Sequence, residues 1–107
     1  MLYKFKSKAT GDLIMMQPSG DQVLRILGRE PAPQGILECA AMDAAVAAIE
    51  RAIADDEAAR ATAEREAAEE GRTLAPREGV TLRQRAWPLV EMIKRARAAD
   101  EPIVWGV

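Results

Sequence analysis

Residues 81 to 98 read TLRQRAWPLVEMIKRARA, and this run decides the architecture. Thr81 and Gln84 stand three apart, the spacing at which a hydroxyl and a side-chain amide satisfy each other's free backbone donors at a helix start. Leu82, Ala86, Leu89, Ile93 and Ala96 then follow at steps of four, three, four and three. At ~100° per residue they form one stripe that stays within ~40° of Leu82. Trp87 falls near ~140° on the same wheel, among Arg83, Glu91 and Lys94. Pro88 removes the bond to the carbonyl of Gln84 and is expected to bend the rod. Two readings of Trp87 stay open: packing on a neighbouring helix, or a partner-facing indole beside Arg83 and Lys94.

Working outward, the segment before this helix is the other long helical run. Met42, Val46, Ile49 and Ile53 make its stripe, and the next positions on that line are Glu57, Arg60 and Glu64. The apolar face therefore stops at Ile53 while helix propensity continues through an alanine, glutamate and arginine run to Glu70. A helix from 43 to 70 would be ~42 Å long and one from 81 to 98 ~27 Å. They are expected to pack antiparallel, with residues 55–80 forming a charged overhanging helix end and the connection back. That overhang either stands free or meets a second copy of the chain.

The amino-terminal residues LYKFKSK alternate, placing Tyr3 and Phe5 on one strand face and Lys4, Lys6 and Lys8 on the other. The lysine row suits a sheet edge or a solvated face. After the turn at 9–12, Leu13-Ile14-Met15-Met16 reads as a second strand covered on both sides, hairpin-paired to the first. Ser19 and Gln22 repeat the capping-box spacing, Val23, Leu24 and Leu27 form the face of a short helix, and Gly28 ends it. Residues 35–39 offer a third strand. Ile103, Trp105 and Val107 share the face of a terminal strand that should be paired inside the sheet. The order β-β-α-β-α-α-β gives an α+β fold: a small sheet of three to four strands packed against two or three helices, in a single domain spanning 1–107.

Composition removes whole classes of function. Of 107 residues 49% are hydrophobic, but 21 are alanine, so the core is modest. The net charge of −2 disfavours nucleic-acid binding through global charge. No signal peptide or membrane span is visible, and a lone Cys39 forms no internal disulfide, which implies a cytoplasmic protein. With no histidine, imidazole acid–base chemistry and histidine metal sites are excluded. One cysteine excludes a CxxC site, and neither a phosphate loop nor a dinucleotide fingerprint is present. No cofactor or metal is implied. Glu66 and Glu70 share a helix face but read as solvated charges, and Cys39 as small filler.

Phe5-Lys6-Ser7-Lys8, Gly11-Asp12-Leu13-Ile14-Met15, Arg85-Ala86-Trp87-Pro88-Leu89 and Val104-Trp105 together resemble the small bacterial family catalogued as domain of unknown function 1840. The resemblance spans nearly the whole chain. It implies short cytoplasmic bacterial proteins without an assigned activity, so no functional residue is carried over from it.

Three functions remain. The first is a non-enzymatic interaction or adaptor domain, or a homodimer, with Trp87, Arg83, Lys94, Arg97, Arg60 and Glu64 as partner-contact residues. The second is a nucleic-acid-associated regulator using Lys4, Lys6 and Lys8 with Arg83, Lys94 and Arg97. The third is a small carboxylate-based enzyme or ligand binder. The first is preferred.

Overall fold

Alternation in the first strand sets the layering. In the computed structural model, which describes residues 2–76 and 79–107, β1 (Leu2–Lys6) buries Tyr3 and Phe5 and turns Leu2 and Lys4 to solvent. β2 (Leu13–Met16) pairs with it as an antiparallel hairpin, Tyr3 opposite Met15 and Lys4 opposite Ile14. β3 (Gly35–Leu37) and β4 (Ile103–Trp105) complete a four-stranded antiparallel sheet in the order β2-β1-β4-β3. The terminal strand is thus interior, as its burial pattern demands. It stops at Trp105; Gly106 turns away at φ 75° and Val107 is exposed, so Val107 does not join the strand face.

Three helices, α1 (Gln17–Ile26), α2 (Cys39–Glu69) and α3 (Leu82–Ala98), give the α+β order β-β-α-β-α-α-β. α1 begins directly from β2 with Met16 at the cap position and Pro18 in the first turn, ahead of the capping box expected at Ser19. Proline's fixed φ suits a first turn. The early start also puts Gly20 inside the helix, where its bare backbone lies against the Tyr3 ring and a Cβ would overlap it. Gly28, at φ 81°, closes α1: its N–H donates to Arg25 O and that of Arg29 to Leu24 O, both at 2.9 Å.

α3 opens on the expected capping box, Gln84 N donating to Thr81 Oγ1 at 3.1 Å and Thr81 N to Gln84 Oε1 at 2.9 Å. The helix continues through Pro88. Ala86, Leu89, Ile93 and Ala96 are buried as the stripe requires, and Leu82 is half-buried. Val90 and Met92 are buried as well, at 0% and 5% exposure. α3 packs chiefly against α2 and also meets β2, so its buried arc is wider than the stripe alone indicates.

α2 starts at Cys39, several residues before Met42, and runs 31 residues, ~46 Å at ~1.5 Å per residue. Glu57 meets Arg83 near the start of α3 and Asp43 meets Arg97 near its end, so the two helices are antiparallel. Beyond Ile53 α2 projects, and the molecule measures 52 × 27 × 23 Å. The projection is not bare: Ala67 is buried, Leu74 is half-buried, and Arg60 Nη2 donates to Ala75 O at 2.7 Å. Arg77 and Glu78 of the expected connection lie outside the described residues.

The helices cover one face of the sheet. Tyr3, Phe5, Leu37, Ile103 and Trp105 meet Leu24, Met42, Ile49, Leu89 and Ile93 in one core cluster. Among the described residues, no layer lies on the other face. This corrects the expectation that β2 is covered on both sides: Ile14 is 57% and Met16 66% exposed. Of the two settings expected for the lysine row, it takes the solvated face and not the edge, because β1 is an inner strand.

Candidate interaction surfaces

The flank of α3 brings its expected residues together. Arg83 lies four positions before Trp87 and Lys94 seven after it, one and two helical turns away. Both reach the indole: the guanidinium carbon is 5.7 Å from the ring centroid and the Lys94 ammonium 5.5 Å. Trp87 itself is half-buried and packed on the core cluster. Arg83 is also tied across to α2, Nε and Nη2 donating to the two Glu57 carboxylate oxygens at 2.9 and 2.8 Å. Those hydrogen bonds, and the carboxylate charge behind them, push the guanidinium's pKa further up. Arg83, Gln84, Trp87 and Pro88 line a shallow depression. Val90, three residues on from Trp87, is fully buried and takes no part in this flank.

The remaining expected contacts are spread out. Arg97 pairs with Asp43 on the opposite end of the helix pair, Nε to Oδ1 at 3.3 Å. Arg60 pairs with Glu64 at 2.9 Å on the projecting part of α2 while holding Ala75. Arg83 thus ties α2 to α3, and Arg60 ties α2 to the connection between them.

Sequence reasoning missed the open face of the sheet. Leu2 and Met16 stand side by side, as do Lys4 and Ile14, and Lys6 and Ile36 flank Val104 from either side. Leu2, Ile14, Met16 and Ile36 are 56, 57, 66 and 41% exposed. Solvated faces of antiparallel sheets normally alternate to polar residues; here four large apolar side chains sit among the two lysines. The signal was present: once the lysines of β1 face water, hairpin pairing puts Ile14 and Met16 of β2 on the same side. Lys4 is 3.6 Å from Asp12, and Lys6, Lys8, Asp12 and Glu101 border a depression at the end of this face. Lys8 lies past the end of β1.

Cys39, in the first turn of α2, is half-buried. Burial first, and then the Asp100 carboxylate that accepts from it, push its thiol pKa up, with Arg97 acting weakly the other way. That is the opposite of an activated nucleophile. Among the described residues no group of three or more His, Cys, Asp or Glu is placed to hold a metal ion. Among them also, no helix is long and apolar enough to cross a membrane.

Comparison with curated proteins and with solved structures returns no match. The family model described as Domain of unknown function (DUF1840) matches residues 1–105, covering both the open sheet face and the Trp87 flank, and the chain belongs to that family.

Proposed function

We propose that this chain is a non-enzymatic protein-interaction domain of the bacterial cytoplasm, and that the open face of its sheet is the principal docking surface. The observation that carries the reading is the group Leu2, Ile14, Met16 and Ile36, all exposed on one face of a sheet whose other face is fully packed. Large exposed apolar side chains grouped on one sheet face in this way mark interaction sites. The Trp87 flank and the charged part of α2 are further contact elements in this reading. The lone free cysteine agrees with a reducing compartment.

The two other functions have less behind them. Arg83, Arg97 and Lys4 each have a carboxylate partner within 3.6 Å, so a phosphate backbone would compete with an existing carboxylate at half of the six basic positions. Asp12 and Glu101 border one depression, but Asp12 is exposed and Glu101 only half-buried, with Lys6 and Lys8 beside them, so a carboxylate-based enzyme has less support.

Affinity capture from the native cell, with wild-type chain and with an Ile14→Glu/Met16→Glu variant of unchanged circular dichroism, tests the proposal. Proteins retained by the wild type and lost by the variant are the expected result. Identical profiles from the two baits would refute it.

A further inference from the structure

The charges around the open face name an occupant. Lys4 is exposed, Lys6 is half-buried, and Lys8 extends the basic row beyond the strand. The outward side of α2 past Ile53 carries the opposite sign. Asp55, Glu66 and Glu69 fall within one helical row, alongside a row of exposed alanines at 54, 58, 61 and 68 that Arg65 interrupts. The long arginine stem lets its charged head swing clear to water. The other side of this arm is occupied, since Arg60 is half-buried and Ala67 fully buried. An alanine row permits close approach of the helix backbone to a sheet, and the acidic row beside it suits lysines.

We propose that the chain forms a two-fold dimer in which the distal half of α2 of each copy lies across the open sheet face of the other. The alanine row covers Leu2, Ile14 and Met16, and the acidic row meets Lys4 and Lys6. This rests on the open face being the docking surface, and it specifies what docks there.

Dimensions and area agree. Residues 54–69 span ~24 Å of helix, against a four-stranded sheet ~19 Å across. The largest apolar patch on a typical monomer is on the order of 300–600 Å². A stable interface needs about 800 Å² from each partner. Face-to-face pairing of two open sheets buries only one such patch per copy and opposes lysines to lysines. Exchange of the helical arms buries two surfaces per copy, the sheet face and the arm, and opposes each lysine to a carboxylate. Contact between an arm and a sheet is heterologous, and its reciprocal repetition about a two-fold axis closes the assembly.

Sedimentation equilibrium of the full chain tests this with charge swaps at solvent-facing positions. Wild type is expected to be a dimer at micromolar concentration that weakens with added salt. Lys4→Glu/Lys6→Glu and Glu66→Lys/Glu69→Lys are each expected to be monomers of unchanged circular dichroism. Their equimolar mixture is expected to regain the dimer, because the swapped charges are then complementary again across one of the two contacts; recovery also shows that each variant was folded. The milder Lys4→Gln/Lys6→Gln is expected to raise the dissociation constant by tenfold or so without reversing the charge. A monomeric wild type, a dimeric Glu66→Lys/Glu69→Lys chain, or a mixture that stays monomeric would each overturn the arm exchange. Failure of the arm exchange leaves the broader docking reading standing, because the capture with Ile14→Glu/Met16→Glu reads any protein lost from the open face, a second copy of this chain included.

Discussion

The Tyr3 ring lies on the backbone of Gly20, occupying the space a side chain at position 20 would need, and its hydroxyl donates to the carboxylate of Asp21 next to that glycine. Strand β1 is thereby fastened to α1 at one point by shape and hydrogen bonding together. Gly20→Ala forces either the ring or the helix to move. Overpacking of this kind costs about 1–3 kcal/mol, which a lowered urea midpoint with an unchanged slope would register; an unshifted midpoint would disprove the tight contact.

Tyr3 is the chain's single tyrosine, so its titration can be followed directly by phenolate absorbance. Burial first, then the hydrogen bond to Asp21 and its charge, push the phenol up to about 12, with Arg25 opposing weakly. The unfolded phenol titrates near ~10. The protonated ring therefore contributes stability that is complete below about pH 10 and lost as pH rises through about 12. Asp21→Asn should bring the midpoint partway down, since burial remains. A midpoint near ~10 in the folded wild type would contradict the arrangement.

Three truncations on α3 rank its contributions. Leu89→Ala empties a fully packed position and is expected to cost about 2–5 kcal/mol. Arg83→Ala removes a bidentate but half-exposed pair with Glu57, worth about 1 kcal/mol at most. Trp87→Ala, half-buried, falls between them. Chemical denaturation of the three variants reads the order, and an Arg83 variant as damaging as the Leu89 one would show that the α2–α3 seam is held by charge rather than by burial.

Cys39 reacts slowly if burial and Asp100 hold its thiol pKa up. Alkylation by iodoacetamide at neutral pH should be slower than that of free cysteine, and Asp100→Asn should accelerate it. Asparagine is the suitable replacement because residue 100 has φ 57° after the end of α3, a left-handed conformation that asparagine tolerates. Reaction as fast as the free amino acid would show the thiol unprotected.

Local patterning was sufficient wherever a local rule had no competitor. Thr81 and Gln84 can cap only the helix they begin, so α3 was readable to the residue; Tyr3 and Phe5 alternate with lysines, so the buried side of β1 was readable too. Gly28 marked the end of α1 because its positive φ excludes most other residues. The start of α1 was not readable in the same way: Ser19 and Gln22 have capping spacing, but the helix had already begun at Gln17, with Gly20 fitted against Tyr3. That fit exists only after β1 and α1 meet.

The candidate surfaces divide along the same line. Trp87 stands off the leucine stripe by helix geometry alone, and Arg83 and Lys94 reach it because residues one and two turns away lie on the same side. Glu57 reaches Arg83 only because two helices pack antiparallel. The burial of Val90 and Met92 likewise required a second neighbour for α3. Ile14 and Met16 show the limit most clearly: an apolar run in a strand states that burial is wanted, not on which face. The order of residues was enough to set the elements, their succession and the inward side of most of them. Only the assembled fold put all three helices on one side of the sheet and left the opposite side open, because that choice depends on where the connections carry each helix and not on any residue within it.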